Sequence, residues 1–336
     1  MKLLLLILAA LVGLLVVLEV SLRFLGFGNP LTYLADEEIG YLLAPNQSTR
    51  RFGNRIAINE YSMRTQPIAA KRAKSTLRVL LLGDSIANGG WWTHQDQTIS
   101  ALLATHLESS FKEVSKQNST PKTVCETVEV LNASANSWGP RNELAYIKRF
   151  GTFDVQALVL LINTDDLFSK KPSSAVVGRD RNYPISKPLL AILEIFSRLF
   201  SGETPPAIAA GDEEPGDIVG INLEAIGQIK LLVEASGAQF VLAMTPLLRE
   251  IGSPGPRDYE IRERARLMKF TKDLQITYVD FLPVFNSTEA PENLYHDHIH
   301  LNLQGNQKVT EVIGSTLQPL LSQDGFLESP SLLTEG

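Results

Sequence analysis

One cysteine in 336 residues, Cys125, permits no intramolecular disulfide, no thiolate zinc cluster and no CxxC redox pair. Without a cysteine near the start there is no lipoprotein attachment point. There is also no long basic run. With 31 Lys and Arg against 37 Asp and Glu, net charge −6, the chain lacks the electrostatic term that dominates nucleic-acid binding. No internal repeat is visible. The hydrophobic fraction of 44% excludes a wholly disordered chain, a collagen-like fibre and a small disulfide scaffold.

What is present begins with an apolar run from Leu3 to Val20, interrupted only by Gly13 and Glu19. About 18 to 20 such residues match a bilayer core. Two readings compete, a cleaved signal peptide and an uncleaved anchor. The run exceeds the roughly 7 to 15 apolar residues of a signal peptide, and its end carries no A-x-A site, so the anchor is favoured. Lys2 on one side and Arg23 on the other leave its orientation undecided.

Residues 24–75 hold scattered turn formers and short extended stretches, read as an irregular lead packed against the main domain. From Leu77 onward, continuous apolar runs alternate with segments of helical period, the pattern of a parallel sheet buried on both faces. Strands are expected at 77–82, 127–131, 157–162, 240–244 and 276–279, and helices at 98–111, 141–150, 221–235, 256–274 and 303–321. This order predicts a doubly wound α/β domain over 76–323, with a tail over 324–336. An insertion at about 167–218 follows the third strand. Ligands of open α/β sheets sit beyond the strands' carboxyl ends, so it is either a lid or substrate wall, or a solvated excursion.

Two clusters carry chemistry. In Leu80-Leu81-Leu82-Gly83-Asp84-Ser85-Ile86 a buried strand runs into a glycine turn bearing a serine. Ser85 there is either a helix cap or a nucleophile. The second cluster is His296-Asp297-His298-Ile299-His300, before the last helix. A serine nucleophile needs a base, and the base needs a carboxylate to fix its tautomer. Asp297 and His300 have a spacing that lets one turn bring them together. The rival is metal binding by His296, His298 and His300. Trp91 and Trp92 are read as a stacking surface for a sugar or acyl chain, or as core.

These residues resemble the SGNH (GDSL) hydrolase family. GDSI at 83–86 and D-x-x-H at 297–300 are similar to its first and last blocks. Residues 130–137 resemble V-x-N-A-S-x-x-G, and 160–166 resemble the block ending in G-x-N-D. Asn59-Glu60-Tyr61-Ser62-Met63-Arg64 resembles the N-x-x-G-x-R segment of anchored members. The resemblance implies a flavodoxin-like three-layer α/β/α sandwich with a mostly parallel sheet, and a domain outside the cytoplasm, periplasmic or extracellular. It implies a serine esterase working through an acyl-enzyme, with Ser85 as nucleophile, His300 as base and Asp297 as its orienter. No cofactor or metal is called for. The implied partners are an acyl ester, foremost an O-acetyl group on an envelope polysaccharide, and a membrane through the N-terminal helix. Lipid or thioester hydrolysis stands behind that reading, as does a non-catalytic binding protein.

Two positions depart from the pattern. The oxyanion glycine falls at Ser137 and the oxyanion asparagine at Asp165. An ionised Asp165 would repel a developing oxyanion, so it must be neutral, turn away, or yield its role to Asn163 two residues earlier. A weak or dead site is the fourth alternative.

Overall fold

The computed structural model describes residues 1–117, 126–200 and 214–323, so Cys125 and the tail lie outside the described residues. The apolar N-terminus forms one helix, α1 (Lys2–Leu25), long and apolar enough to cross a membrane. Its apolar stretch is wholly unburied, and only near its C-terminus, at Leu22, does it enter the protein. Gly26, at φ 96°, ends it in the left-handed conformation that glycine tolerates.

The lead is not irregular. It forms two antiparallel hairpins, β1 (Tyr33–Asp36) with β2 (Gly40–Leu43), and β3 (Gln47–Arg51) with β4 (Asn54–Ile58). Strands of four or five residues are too short for their alternation to stand out in sequence. Their stability comes from packing: Ile39, Leu43, Ile56 and Ile58 are buried in the main core, and Tyr33 and Tyr41 each pack at or near 5 to 6 Å against each other and Tyr183 of the insertion.

The central sheet is parallel throughout, with strands β5 (Thr76–Gly83), β6 (Thr127–Ser134), β7 (Ala157–Asn163), β8 (Gln239–Thr245) and β9 (Thr277–Asp280). Their spatial order is β6-β5-β7-β8-β9, the flavodoxin-like arrangement. Every residue of β5 and β7 is buried, which is why both read as unbroken apolar runs. Alternate residues feed two cores. Leu80, Leu82, Leu158 and Leu160 meet Leu144 and Ile147 of α4 (Pro140–Phe150) and Ile226 and Ile229 of α6 (Ile218–Ala235). Leu77, Val79, Leu81 and Val159 meet Ile99 and Leu103 of α3 (Ile99–Gln117) and Val309 and Ile313 of α9 (Leu303–Gln323). The result is a three-layer α/β/α sandwich, completed by α7 (Asp258–Asp273) and α8 (Phe281–Asn286).

The chain leaves β5 for one neighbour, β6, and later returns to its other side as β7. This reversal opens a crevice at the carboxyl ends of β5 and β7. Two short elements lie there: α2 (Ser85–Asn88), directly after β5, and a 3-10 turn (Thr164–Phe168), directly after β7. The insertion continues into α5 (Ala191–Phe200).

Gly83 sits where β5 presses on β7. A Cβ there would stand 2.4 Å from the Leu161 carbonyl oxygen, a backbone atom with no freedom to rotate away. Gly83→Ala should therefore lose about 1 to 3 kcal/mol of stability and displace Ser85. The measurement is the denaturation midpoint beside esterase activity, and an unchanged midpoint would contradict the account.

Candidate active site

Ser85 owes its position to Asp84. The Asp84 carboxylate caps α2 by accepting from the Ile86 backbone N–H at 2.8 Å, so the chain turns from strand to helix at Ser85. Its other oxygen accepts from Asn163 Nδ2 at 2.8 Å, tying the end of β5 to the end of β7. Asn132 holds α2 from the opposite side, donating to the Ala87 carbonyl at 2.7 Å. The loop after α2 is held by Arg64, which is fully buried and donates to the carbonyls of Asn88, Gly90 and Thr93 at 2.5 to 2.6 Å. Burial lowers the Arg64 guanidinium to about 9, so it remains charged at neutral pH.

The second half of the site arrives 215 residues later. Asp297 Oδ1 accepts from the backbone N–H groups of Ile299 and His300, at 2.9 and 2.8 Å, which closes the turn. Asp297 Oδ2 lies 2.7 Å from His300 Nδ1, and His300 Nε2 lies 3.0 Å from Ser85 Oγ. Burial pushes the Asp297 carboxyl up, but the two N–H groups and the His300 ring outweigh it and hold the group at about 2. An ionised Asp297 only accepts, which assigns the proton to Nδ1 and leaves Nε2 as acceptor for the serine hydroxyl. The arrangement can take a proton from Ser85 and return it elsewhere.

Trp92 braces this relay. Its indole stacks on His296, with centroids 4.9 Å apart and planes at 8°, and leans on His300 at 4.6 Å. His296 is thus packed under an indole, His298 points into solvent with a side chain 87% exposed, and His300 faces Ser85. The three histidines do not converge, and among the described residues no group of three His, Cys, Asp or Glu is placed to hold a metal ion. The metal-binding alternative has no geometry behind it.

A cleft of about 340 Å³ opens over Ser85 and His300, bounded by Asn136, Ser137 and the two tryptophans. Trp91 is half exposed at its mouth. Tyr183, Arg181 and Pro184 of the insertion complete one side, so the insertion is a wall of the cleft. Tyr183 Oη donates to Ser137 Oγ at 3.0 Å. Ser137 has φ 57°, a left-handed conformation in which glycine would be unstrained, and this explains why glycine suits the position.

Of the alternatives for the oxyanion asparagine position, the structure matches the one in which Asp165 turns away, and it corrects a donor role for the Asp165 or Asn163 side chain. Neither side chain lines the cleft. Asp165 turns outward, its side chain 59% exposed and 3.9 Å from Arg249. Partial burial, opposed by Arg249, raises its carboxyl above the ordinary value. Asn163 is buried, and its amide is spent on Asp84 and Asp166, at 2.8 and 3.0 Å, while its oxygen accepts from the Asp165 N–H. Asn136, which the sequence reading passed over, does line the cleft, and its buried Oδ1 has no protein partner among the described residues. Its one sequence signal is adjacency to Ser137. The bracing role of Trp92 had no signal beyond proximity to the serine block.

These placements lead to a paired test. Asp165→Asn should leave kcat/KM nearly unchanged and the pH-rate profile unmoved. Asn163→Ala should instead destabilise the fold by about 1 to 3 kcal/mol, because it strips partners from two buried carboxyls. A large rate change from Asp165→Asn at unchanged stability would return Asp165 to the oxyanion site.

Beneath the site lies a set of buried carboxyls. Burial raises Glu143 well above 4.5, with the charge of Asp84 adding to the effect, and neither Glu143 oxygen has a protein partner among the described residues. A folded-state value above the unfolded one means stability is greatest below the ordinary carboxylate range and falls as pH rises toward the folded-state value. Glu143→Gln removes that loss. Its stability advantage over the wild type should therefore grow as pH rises above the ordinary carboxylate range, measured by denaturant unfolding. A difference independent of pH would refute this.

Residues 81–308, more than half of the chain, match the model of the GDSL-like lipase/acylhydrolase family. No curated protein sequence matches. Among solved structures, an acetyl xylan esterase is 13% identical, with a TM-score of 0.47 over 72% of this chain and 100% of that one. The acetylxylan esterase of Geobacillus stearothermophilus is also 13% identical, with a TM-score of 0.46 over 73% and 97%. An α/β hydrolase from the metagenome of Lake Arreo, Spain, is 16% identical, with a TM-score of 0.45 over 77% and 99%. With its family-model match spanning both the Ser85 and the His300 blocks, the chain belongs to the GDSL-like lipase/acylhydrolase family and is a serine ester hydrolase.

Proposed function

We propose that this hydrolase works through an acyl-enzyme on Ser85. Ser85 Oγ attacks the ester carbonyl while His300 Nε2 takes its proton. The tetrahedral oxyanion is held by the backbone N–H groups of Ser85 and Ser137, with the Asn136 amide beside them. Collapse breaks the ester bond, and the proton on His300 leaves with the alcohol. Water, or the hydroxyl of an acceptor in a transfer reaction, then attacks the acyl carbonyl and gives its proton to His300, which releases the acid or the new ester and restores Ser85. Asp297 orients the ring throughout. The observation that carries this reading is the relay itself: Asp297 at 2.7 Å from Nδ1 and Ser85 at 3.0 Å from Nε2 of one imidazole.

The favoured ester is an O-acetyl group on an envelope glycan. A chain tethered by α1 outside the cytoplasm meets such a glycan, and the exposed face of Trp91 at the cleft mouth suits a sugar ring. In this reading α1 is an uncleaved anchor. Its last turns support that role, because Glu19 and Arg23 bond to the insertion and their removal would strip contacts from the folded domain.

Ser85→Ala and His300→Ala should each lower kcat on a short-chain acetyl ester by about 10⁴-fold or more, and the double variant should be little worse, since the two act as a unit. Wild-type Ser85 should also react with a fluorophosphonate. Additive losses, or substantial activity in Ser85→Ala, would sink the acyl-enzyme mechanism.

A further inference from the structure

Helix α5 is built inside out. Its inward face is charged: Glu194 is buried and accepts from Arg51 Nη2 at 2.7 Å, Arg198 Nε at 2.9 Å and the Gly28 N–H at 2.7 Å. Its outward face is Leu193, Phe196, Leu199 and Phe200, each half to three quarters exposed, with Phe196 and Phe200 stacked at 5.4 Å. Leu189 and Leu190 extend the patch at the entry to the helix. A surface helix in water shows the reverse, apolar residues toward the core and charge toward solvent. Unpaired leucines and phenylalanines in one contiguous patch call for an apolar neighbour.

The position of α5 says which neighbour. Its first turn is capped by Glu19 of α1, whose two carboxylate oxygens accept from the N–H groups of Ala191 and Ile192 at 2.9 and 3.0 Å. Arg23 Nη2 donates to the Leu189 carbonyl at 2.7 Å. Glu19 and Arg23 are the charged residues at the end of α1, after the long apolar run that begins at Leu3. α5 therefore starts at the level where charged side chains, Glu19 and Arg23, first interrupt the exposed apolar surface of α1, which Val20 and Phe24 continue between and beyond them. This is the level of a bilayer's headgroups if α1 spans. The exit of α1 is fixed from another direction by the turn between β3 and β4, where the Phe52 N–H donates to the Leu25 carbonyl at 2.8 Å and an exposed Phe52 ring packs on exposed Trp91.

The geometry points to the outward face of α5 as a membrane-surface seat that lies on the bilayer beside α1. The inference rests on the anchor reading of α1 and adds to it a second, interfacial contact. Arg198 lines the cleft from the inward side of the same helix, so the seat places the cleft wall against the membrane. The ester that reaches Ser85 is then one held at the membrane surface.

The test uses the full chain with Cys125→Ser, reconstituted in phosphatidylcholine/phosphatidylglycerol nanodiscs and spin-labelled at one introduced cysteine at a time: Leu15→Cys on α1, Phe196→Cys on α5, and Lys269→Cys on the solvent face of α7. Power saturation then compares collisions with oxygen, which partitions into lipid, and with a water-soluble nickel chelate. Labels at 15 and 196 should both favour oxygen, 196 at the shallower depth, and the label at 269 should favour the chelate. A label at 196 that behaves like the one at 269, while 15 remains in lipid, overturns the seat and leaves the anchor standing. Both labels in water overturn seat and anchor together. A label at 196 shielded from both reagents, or broadened by a second spin, means protein covers the face, a second copy in the broadened case, and also overturns the inference. None of these outcomes depends on ester hydrolysis, so failure of the catalytic proposal is seen separately in the Ser85 variants.

Discussion

A buried carboxylate, that of Asp84, is the interaction on which the site depends. It turns the chain from strand into helix by accepting the Ile86 N–H, and it reaches across to β7 through Asn163. Burial raises this carboxyl above its ordinary value, while the Ile86 N–H, His300 and Asn163 pull the other way. A carboxyl inside a three-layer core is costly unless its lone pairs are occupied. Here they are occupied by the groups that fix Ser85. The strain of burying Asp84 and the positioning of the serine hydroxyl are two aspects of one arrangement.

The features legible in the sequence are those set by local pattern or short spacing. β5 and β7 read as strands because a sheet covered on both faces needs unbroken apolar runs, and 160–162 and 79–82 supply them. Asp297 and His300 are three residues apart, close enough for one turn to join them, so the pairing was readable, and it is present in the fold. The partnership with Ser85 spans 215 residues and was readable only through the resemblance of both blocks to one family. Less legible were features decided by tertiary contact. The hairpins of the lead are too short to signal themselves and hold because Ile39, Leu43 and Ile56 find the main core. Asn163 looked available as a donor, yet its amide is committed to Asp84 and Asp166, neighbours that only the folded sheet edge supplies.

The lead is as much part of the hydrolase domain as the sheet. Arg64 secures the loop behind α2 through three carbonyls, and Ser62, at φ 62°, occupies the left-handed turn that aims Arg64 inward. Ser62 and Ser137 stand where the family pattern has glycine, and both keep the backbone conformation that glycine makes easy. The serine side chains change the strain and leave the path of the chain unchanged. Ser137 gains a hydrogen bond from Tyr183 in return, which links the insertion to the same cleft edge that the lead supports from behind.

The contact between Glu19 and the first turn of α5 also bears on the order in which the molecule is assembled. It joins residues 172 positions apart, and β1 through β7 lie entirely between them. Closing so long a loop in an open chain is entropically unfavourable, whereas pairing the intervening strands shortens the path between its ends. The contact between α1 and α5 is accordingly easier to close once β5, β6 and β7 have paired. The pairing of Ser85 with His300, across 215 residues, gains from the same shortening, so the relay and its enclosure alike are easier to close on a sheet that has already paired.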